Sequence, residues 1–236
     1  MFKNVVVKSY YMFEELRAAL KRKVDVVYRD GSINFFKEKV RPYGVRSVFV
    51  KKLAREYFPK NLDKDCLIVL CEKLFASGWF EEANIAIIWA KRGKVKSLAV
   101  FERWLDKYVS NWAHDDGLCC QLIGPLLEEN PELVSKVKVW TGSKNRWKRR
   151  AAAVSFVVPG GHGKFLRDIF DVAEKLLTDE DDLVQKGYGW MLKVASKKHR
   201  KEVFDFVIKH KKSMPRTALR YAIEIMPEVL RKKAMA

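Results

Sequence analysis

Trp112 and Asp116 stand four residues apart, a spacing that sets both side chains on one face of a helix, and the carboxylate falls near a helix start, where its charge is favoured. A carboxylate beside an indole is an unusual pocket wall. Indole faces attract a nearby cation by about 0.5–2 kcal/mol each, so such a wall favours positive charge in whatever it meets. The plainer reading has Asp115 and Asp116 as helix-start acids and Trp112 as core. Trp190 closes the run Gln185-Lys186-Gly187-Tyr188-Gly189-Trp190, and two glycines inside a helix cost about 1 kcal/mol each relative to alanine. Something must therefore approach that backbone closely, whether a ligand or a neighbouring helix.

The elements that position these residues centre on Ser143-Lys144-Asn145-Arg146-Trp147-Lys148-Arg149-Arg150-Ala151-Ala152-Ala153-Val154, a basic helix start running into an alanine-rich half fit for close packing. Between Lys136 and Arg150 there are seven basic residues (Lys136, Lys138, Lys144, Arg146, Lys148, Arg149, Arg150) and no acid, so the segment cannot neutralise itself. Such a face suits a polyanion, with a solvated basic surface as the alternative. The whole chain agrees: 47 Lys and Arg against 29 Asp and Glu give +18 over 236 residues. Nucleic acid is the leading partner, ahead of an anionic membrane.

At 48% hydrophobic residues the chain can bury a sizeable core. Charges interrupt every apolar run before the ~18 residues needed to span a bilayer, and the N-terminus lacks a signal-peptide core. The expectation is no membrane partner and a cytoplasmic monomer, nucleoid-associated when bound to DNA. Cys66, Cys71, Cys119 and Cys120 show neither a disulfide framework nor CxxC spacing, and His114, His162, His199 and His210 are scattered. No metal and no cofactor are expected.

Helical spacing runs over 9–23 and from Val48 to Phe58, with Pro59 as a stop; 24–28 reads as helix end or loop. Helix pairs follow: 65–76 with 81–91, 97–108 with 115–127, 131–140 with 145–157, 164–177 with 182–195, and 198–208 with 215–225. Breakers such as Ser77-Gly78 and Pro159-Gly160-Gly161 separate them. The second helices start at 81, 115, 145, 182 and 215, which are 34, 30, 37 and 33 residues apart. That period predicts an all-α, HEAT-like or armadillo-like helical-repeat solenoid with a concave basic groove. It forms a single domain over 1–236, with N-terminal helices over about 1–60 and helix pairs over about 61–236. Trp112, Asp116, Arg150, Trp190 and Arg220 then fall at matching turns of successive second helices and share one wall.

The succession resembles the AlkD family of HEAT-like-repeat DNA alkylation-repair glycosylases over nearly the whole chain. The resemblance is carried by Arg41-Pro42-Tyr43-Gly44-Val45, by the run from Leu74 through Gly78-Trp79-Phe80-Glu81-Glu82-Ala83, by Trp112 with Asp116, by Trp147-Lys148-Arg149-Arg150-Ala151-Ala152, and by Gln185 to Trp190. It implies Trp112 and Trp190 as aromatic walls beside a damaged nucleotide, Asp116 as the catalytic carboxylate, and Arg150 as the arginine on the DNA backbone. Lys148, Arg149, Lys186 and Arg220 join Arg150 as DNA-binding residues. Asp115 beside Asp116, and Arg149 beside Arg150, leave each choice resting on register.

The implied reaction is hydrolysis of the N-glycosidic bond of cationic alkylated purines, of the 3-methyladenine and 7-methylguanine type, in double-stranded DNA. An alkylated base is already positive and a ready leaving group, so the carboxylate's task is to stabilise charge on the sugar and to orient water. The family is understood to act on the lesion within the duplex rather than in a base pocket. No lysine is marked as a Schiff-base nucleophile, which implies a monofunctional enzyme. The alternatives are a non-catalytic repeat protein that binds branched or distorted DNA, and a protein-binding scaffold.

Overall fold

The computed structural model describes residues 2–60 and 62–236, with the side chains of 11–60 and 62–236, and among these no strand is present. Two compact units divide the chain, Met1–Lys96 and Ser97–Ala236. The helices on either side of Ser77-Gly78 belong to the first unit.

That unit contains α1 (Phe2–Lys21), α2 (Val26–Ile33), α3 (Ser47–Glu56), α4 (Lys64–Ala76) and α5 (Phe80–Arg92). Helix α5 has acids in its first turn and bases in its last, the pattern that a helix dipole favours. It crosses the middle of the unit. Trp89, fully buried, donates its indole N–H to the Ala54 carbonyl of α3 at 2.7 Å and stacks on Phe13 of α1 at 6.5 Å. At the other end, Glu81 and Glu82 are only 2% and 0% exposed. Glu81 accepts three backbone N–H bonds from the loop before α3, from Tyr43 (2.8 Å), Gly44 (2.8 Å) and Val45 (2.9 Å). Glu82 accepts from the Tyr43 hydroxyl (2.8 Å) and from Arg17 Nε (3.0 Å). These partners explain two buried acids in a chain rich in bases.

The second unit contains α6 (Leu98–Lys107), α7 (Trp112–Leu118), α8 (Gly124–Glu129), α9 (Val134–Val139), α10 (Arg146–Val154), α11 (Val157–Gly161), α12 (Leu166–Lys175), α13 (Asp182–Ala195), α14 (Arg200–His210), α15 (Arg216–Ile223) and α16 (Glu228–Met235). Helices α7, α10, α13 and α15 pack in succession, each against the next, which is the helical-repeat order. Close approach is required at Gly189 of α13. A Cβ there would lie 2.7 Å from Tyr221 Cβ and 2.8 Å from the Ala218 carbonyl of α15. Gly189→Ala is therefore expected to destabilise this unit by about 1–3 kcal/mol through overpacking against backbone. A urea melt that left the midpoint unchanged would mean that α15 docks loosely.

Several elements differ from the sequence reading. Residues 24–28, read as helix end or loop, lead into α2, because the Asp25 carboxylate caps it by accepting the Tyr28 N–H at 2.9 Å. The expected helix over 115–127 starts earlier, at Trp112, where Asn111 accepts the His114 N–H, and it contains a π-helical turn at Cys119–Ile123. The expected helix over 131–140 divides into a 3-10 turn, α9 and a second 3-10 turn. Pro159, Gly160 and Gly161, read as breakers, lie within α11. The real break is at Ser155 and Phe156, and Pro159 is tolerated because a first-turn N–H has no partner inside its helix.

Candidate active site

Asp116 leaves α7 one turn after Trp112 and meets Arg150 of α10 in a two-pronged ion pair. Arg150 Nε donates to Asp116 Oδ1 and Nη2 to Oδ2, both at 2.9 Å. The third guanidinium nitrogen, Nη1, donates to the carbonyl of Leu183 in the first turn of α13. Arg150 thus ties three consecutive second helices together. Its side chain is 6% exposed against 18% for Asp116, so the carboxylate is the part of the pair that reaches solvent. Gly187 lies one turn beyond Leu183, and a Cβ there would come within 3.3 Å of Arg150 Cγ. The missing side chain makes room for the arginine. Trp190 follows three residues later on that face of α13, and both Trp190 and Trp112 are half-buried.

The carboxylate beside it has a different environment. Asp115 is fully buried; its Oδ2 lies 3.7 Å from Arg150 Nε and 4.0 Å from the Cys119 thiol, and its Oδ1 has no hydrogen-bond partner. Burial pushes the Asp115 carboxyl well up from the usual range, against the pull of Arg150 and with help from the charge on Asp116. Burial also raises Asp116, opposed by the charge and hydrogen bonds of Arg150. Burial acts to lower Arg150, but Asp116 and Asp115 outweigh it and raise the guanidinium further. Of the two neighbouring acids, Asp115 is the one that burial pushes up furthest, while Asp116 carries the two-pronged pair to Arg150.

The basic segment is not bare. Lys148, Arg149 and Arg150, read from the sequence as DNA-binding, are met by acids on the neighbouring repeats. Lys148 Nζ bonds Glu102 (2.8 Å) and Asp106 (3.2 Å) of α6. Arg149 Nε bonds Asp179 at 2.6 Å, and its Nη1 donates to the Ser143 carbonyl at 3.0 Å. Arg150, expected on the DNA backbone, is buried on Asp116 and Leu183. Lys186 pairs with Asp182 at 2.9 Å, but both side chains are about a third exposed, so that contact is weak and open to competition. Arg220 is exposed and lines an open groove with Arg216 and Arg231 between α15 and α16. Sequence reasoning missed Leu183 and the role of Gly187. The sign for Arg150 was in the pattern, since it shares a stripe with Trp147, Ala151 and Val154, all buried.

Among the described residues no group of His, Cys, Asp and Glu is placed to hold a metal ion, and no helix is long and apolar enough to cross a membrane. The class defined by this fold and site is an all-α helical-repeat protein with a solvent-reaching carboxylate braced by a buried arginine. Residues 16–226 match the family of DNA alkylation repair enzymes, and the chain belongs to that family. Among solved structures it is similar to a predicted DNA alkylation repair enzyme from Enterococcus faecalis, with a TM-score of 0.77 and 16% identity over 87% of this chain and 98% of that one. At that identity the likeness is one of fold. A comparison with curated proteins gave no match. Family membership makes this an enzyme of DNA alkylation repair with DNA as its partner.

Proposed function

We propose that the protein is a monofunctional DNA glycosylase that hydrolyses the N-glycosidic bond of cationic alkylated purines in duplex DNA. The observation that carries this reading is the Asp116–Arg150 pair. It holds the carboxylate of Asp116, a side chain 18% exposed, at a fixed angle, with Trp112 one turn away on the same helix. When the bond to a positively charged base breaks, the base leaves neutral and positive charge builds on the deoxyribose. A pre-oriented carboxylate stabilises that charge without having to reorganise, and its raised basicity suits it to take a proton from the attacking water. The half-buried Trp112 and Trp190 offer π faces to the same cation. Incubation with a duplex carrying 7-methylguanine tests the reading directly. Free 7-methylguanine should appear, and no release of free base on prolonged incubation would rule the reaction out in favour of non-catalytic DNA binding.

In this mechanism Arg150 is a positioning residue whose fork fixes the Asp116 carboxylate. Arg150→Lys keeps the charge but loses the fork and the bond to the Leu183 carbonyl. Single-turnover excision is expected to fall by about 10–100-fold, the scale of a small misplacement of a reacting group. Duplex affinity should stay close to wild type. A large loss of affinity with unchanged excision at saturating protein would place Arg150 on the DNA backbone instead.

A further inference from the structure

The acids that neutralise Lys148, Arg149 and Arg150 raise the question of which cations are left to grip DNA, and the first unit supplies a rigid one. Arg41 lays its guanidinium 3.9 Å above the Trp79 ring, and Tyr43 stacks on Trp79 at 3.9 Å with the planes 12° apart. Every layer is fixed from behind. The Tyr43 hydroxyl donates to Glu82 and its backbone N–H to Glu81, the Trp79 N–H donates to Ser77 Oγ (3.2 Å), and the Arg41 carbonyl accepts the Phe80 N–H (3.0 Å). Pro42 restricts the backbone of Arg41 as well. The nearby acids Glu81 and Glu82 are buried and occupied by these bonds, so no carboxylate among the described residues pairs with Arg41, which is exposed.

An arginine held against an indole loses rotamer freedom and part of its hydration, and Arg41 is nevertheless an exposed residue. This is the arrangement that takes a phosphate by two parallel hydrogen bonds at small entropic cost. We infer that Arg41, stacked on Trp79 and Tyr43, is a preorganised site for a backbone phosphate of duplex DNA on the N-terminal unit. The choice of DNA rests on the reading of the protein as a DNA repair enzyme, and the ligand chemistry rests on the stack itself.

The test is the salt dependence of binding to an undamaged duplex by the full chain, wild type against Arg41→Gln and Arg41→Lys. The Gln variant keeps most of the stem against Trp79 and loses the charge. Its log–log salt slope should shrink by about 0.9, one phosphate's worth, with an affinity about tenfold lower at low salt. The Lys variant keeps the slope and loses several-fold in affinity, because a point charge cannot form the fork. A wild-type slope in Arg41→Gln overturns the assignment, whether or not affinity falls. Tighter wild-type binding to duplex RNA of the same sequence overturns the choice of partner. Excision is scored separately: wild-type protein that releases no 7-methylguanine but shows the Arg41 slope change sinks only the glycosylase reading. Excision with no slope change in Arg41→Gln sinks only this site.

Discussion

Asp116→Asn is expected to slow single-turnover release of 7-methylguanine from duplex DNA by about 10²–10³-fold, the loss seen when one preorganised electrostatic group is removed from a reacting centre. Affinity for an abasic-site duplex should change little, or tighten slightly as a negative charge leaves a DNA-facing wall. The variant should fold. Arg150 loses the carboxylate that both of its prongs address, yet Asp115 Oδ2 remains 3.7 Å from its Nε, so a second acid is already in place as counter-ion. Burial holds Asp115 well above the usual carboxylate range while Asp116 is charged beside it. Removing that neighbour takes away the smaller, repulsive part of the rise and leaves Asp115 beside Arg150.

Asp115→Asn is the companion measurement. Because Asp115 is fully buried and faces Cys119, its carboxyl does not reach a ligand, and its burial already disfavours the charge that an amide would remove. Most of the activity should remain. If Asp115→Asn is the inactive variant, the catalytic carboxylate has been placed on the wrong side of α7. If neither variant slows release, carboxylate stabilisation of the sugar cation is not the mechanism.

Much of this site was legible in the chain before folding. Spacing put Trp112 and Asp116 on one helix face, the glycines before Trp190 announced a close approach, and the repeat period fixed which helices would be neighbours. The ion pairs were not read, although the same period contains them. Arg150 meets Asp116 34 residues away, Arg149 meets Asp179 at 30, Lys138 meets Asp168 and Asp171 at 30 and 33, and Lys193 meets Glu224 at 31. Each separation is about one repeat. A search for acids within the basic segment finds none, whereas a search one repeat away finds them, because side chains at like turns of adjacent repeats face each other. The burial of Arg150 was hidden by its residue type, since arginine is rarely assigned to a core stripe. Glu81, Glu82 and Asp116 are held by backbone and side-chain donors far away in sequence. No local pattern encodes those donors.

The largest effect on stability is expected at Glu81. Its Oε1 accepts the N–H groups of Gly44 and Val45, and its Oε2 that of Tyr43, all within 2.9 Å. Tyr43, Gly44 and Val45 are buried and the loop bends at Gly44, where φ is +91° and a Cβ would lie 2.5 Å from Arg29 Cβ. The donors therefore have no easy route to water. Glu81→Ala leaves three buried N–H groups without an acceptor, each worth about 1–3 kcal/mol, so a loss of at least about 3 kcal/mol is expected. Glu81→Gln is milder. Its oxygen can still serve Gly44 and Val45, but its amide nitrogen then faces the Tyr43 N–H, donor against donor, at a cost of about 1–3 kcal/mol. Hydrogen exchange resolves the outcome where a single melting curve over two compact units does not: the amides of Tyr43, Gly44 and Val45 should lose protection in Glu81→Gln while those of α10 and α13 keep theirs. The same variant should weaken DNA binding, because the loop that Glu81 anchors begins at Arg41 and carries the Tyr43 ring beneath Trp79. Full protection of the three amides would show that the loop is held by something other than this carboxylate, and unchanged DNA affinity in a variant that has lost that protection would uncouple the anchor from the phosphate site.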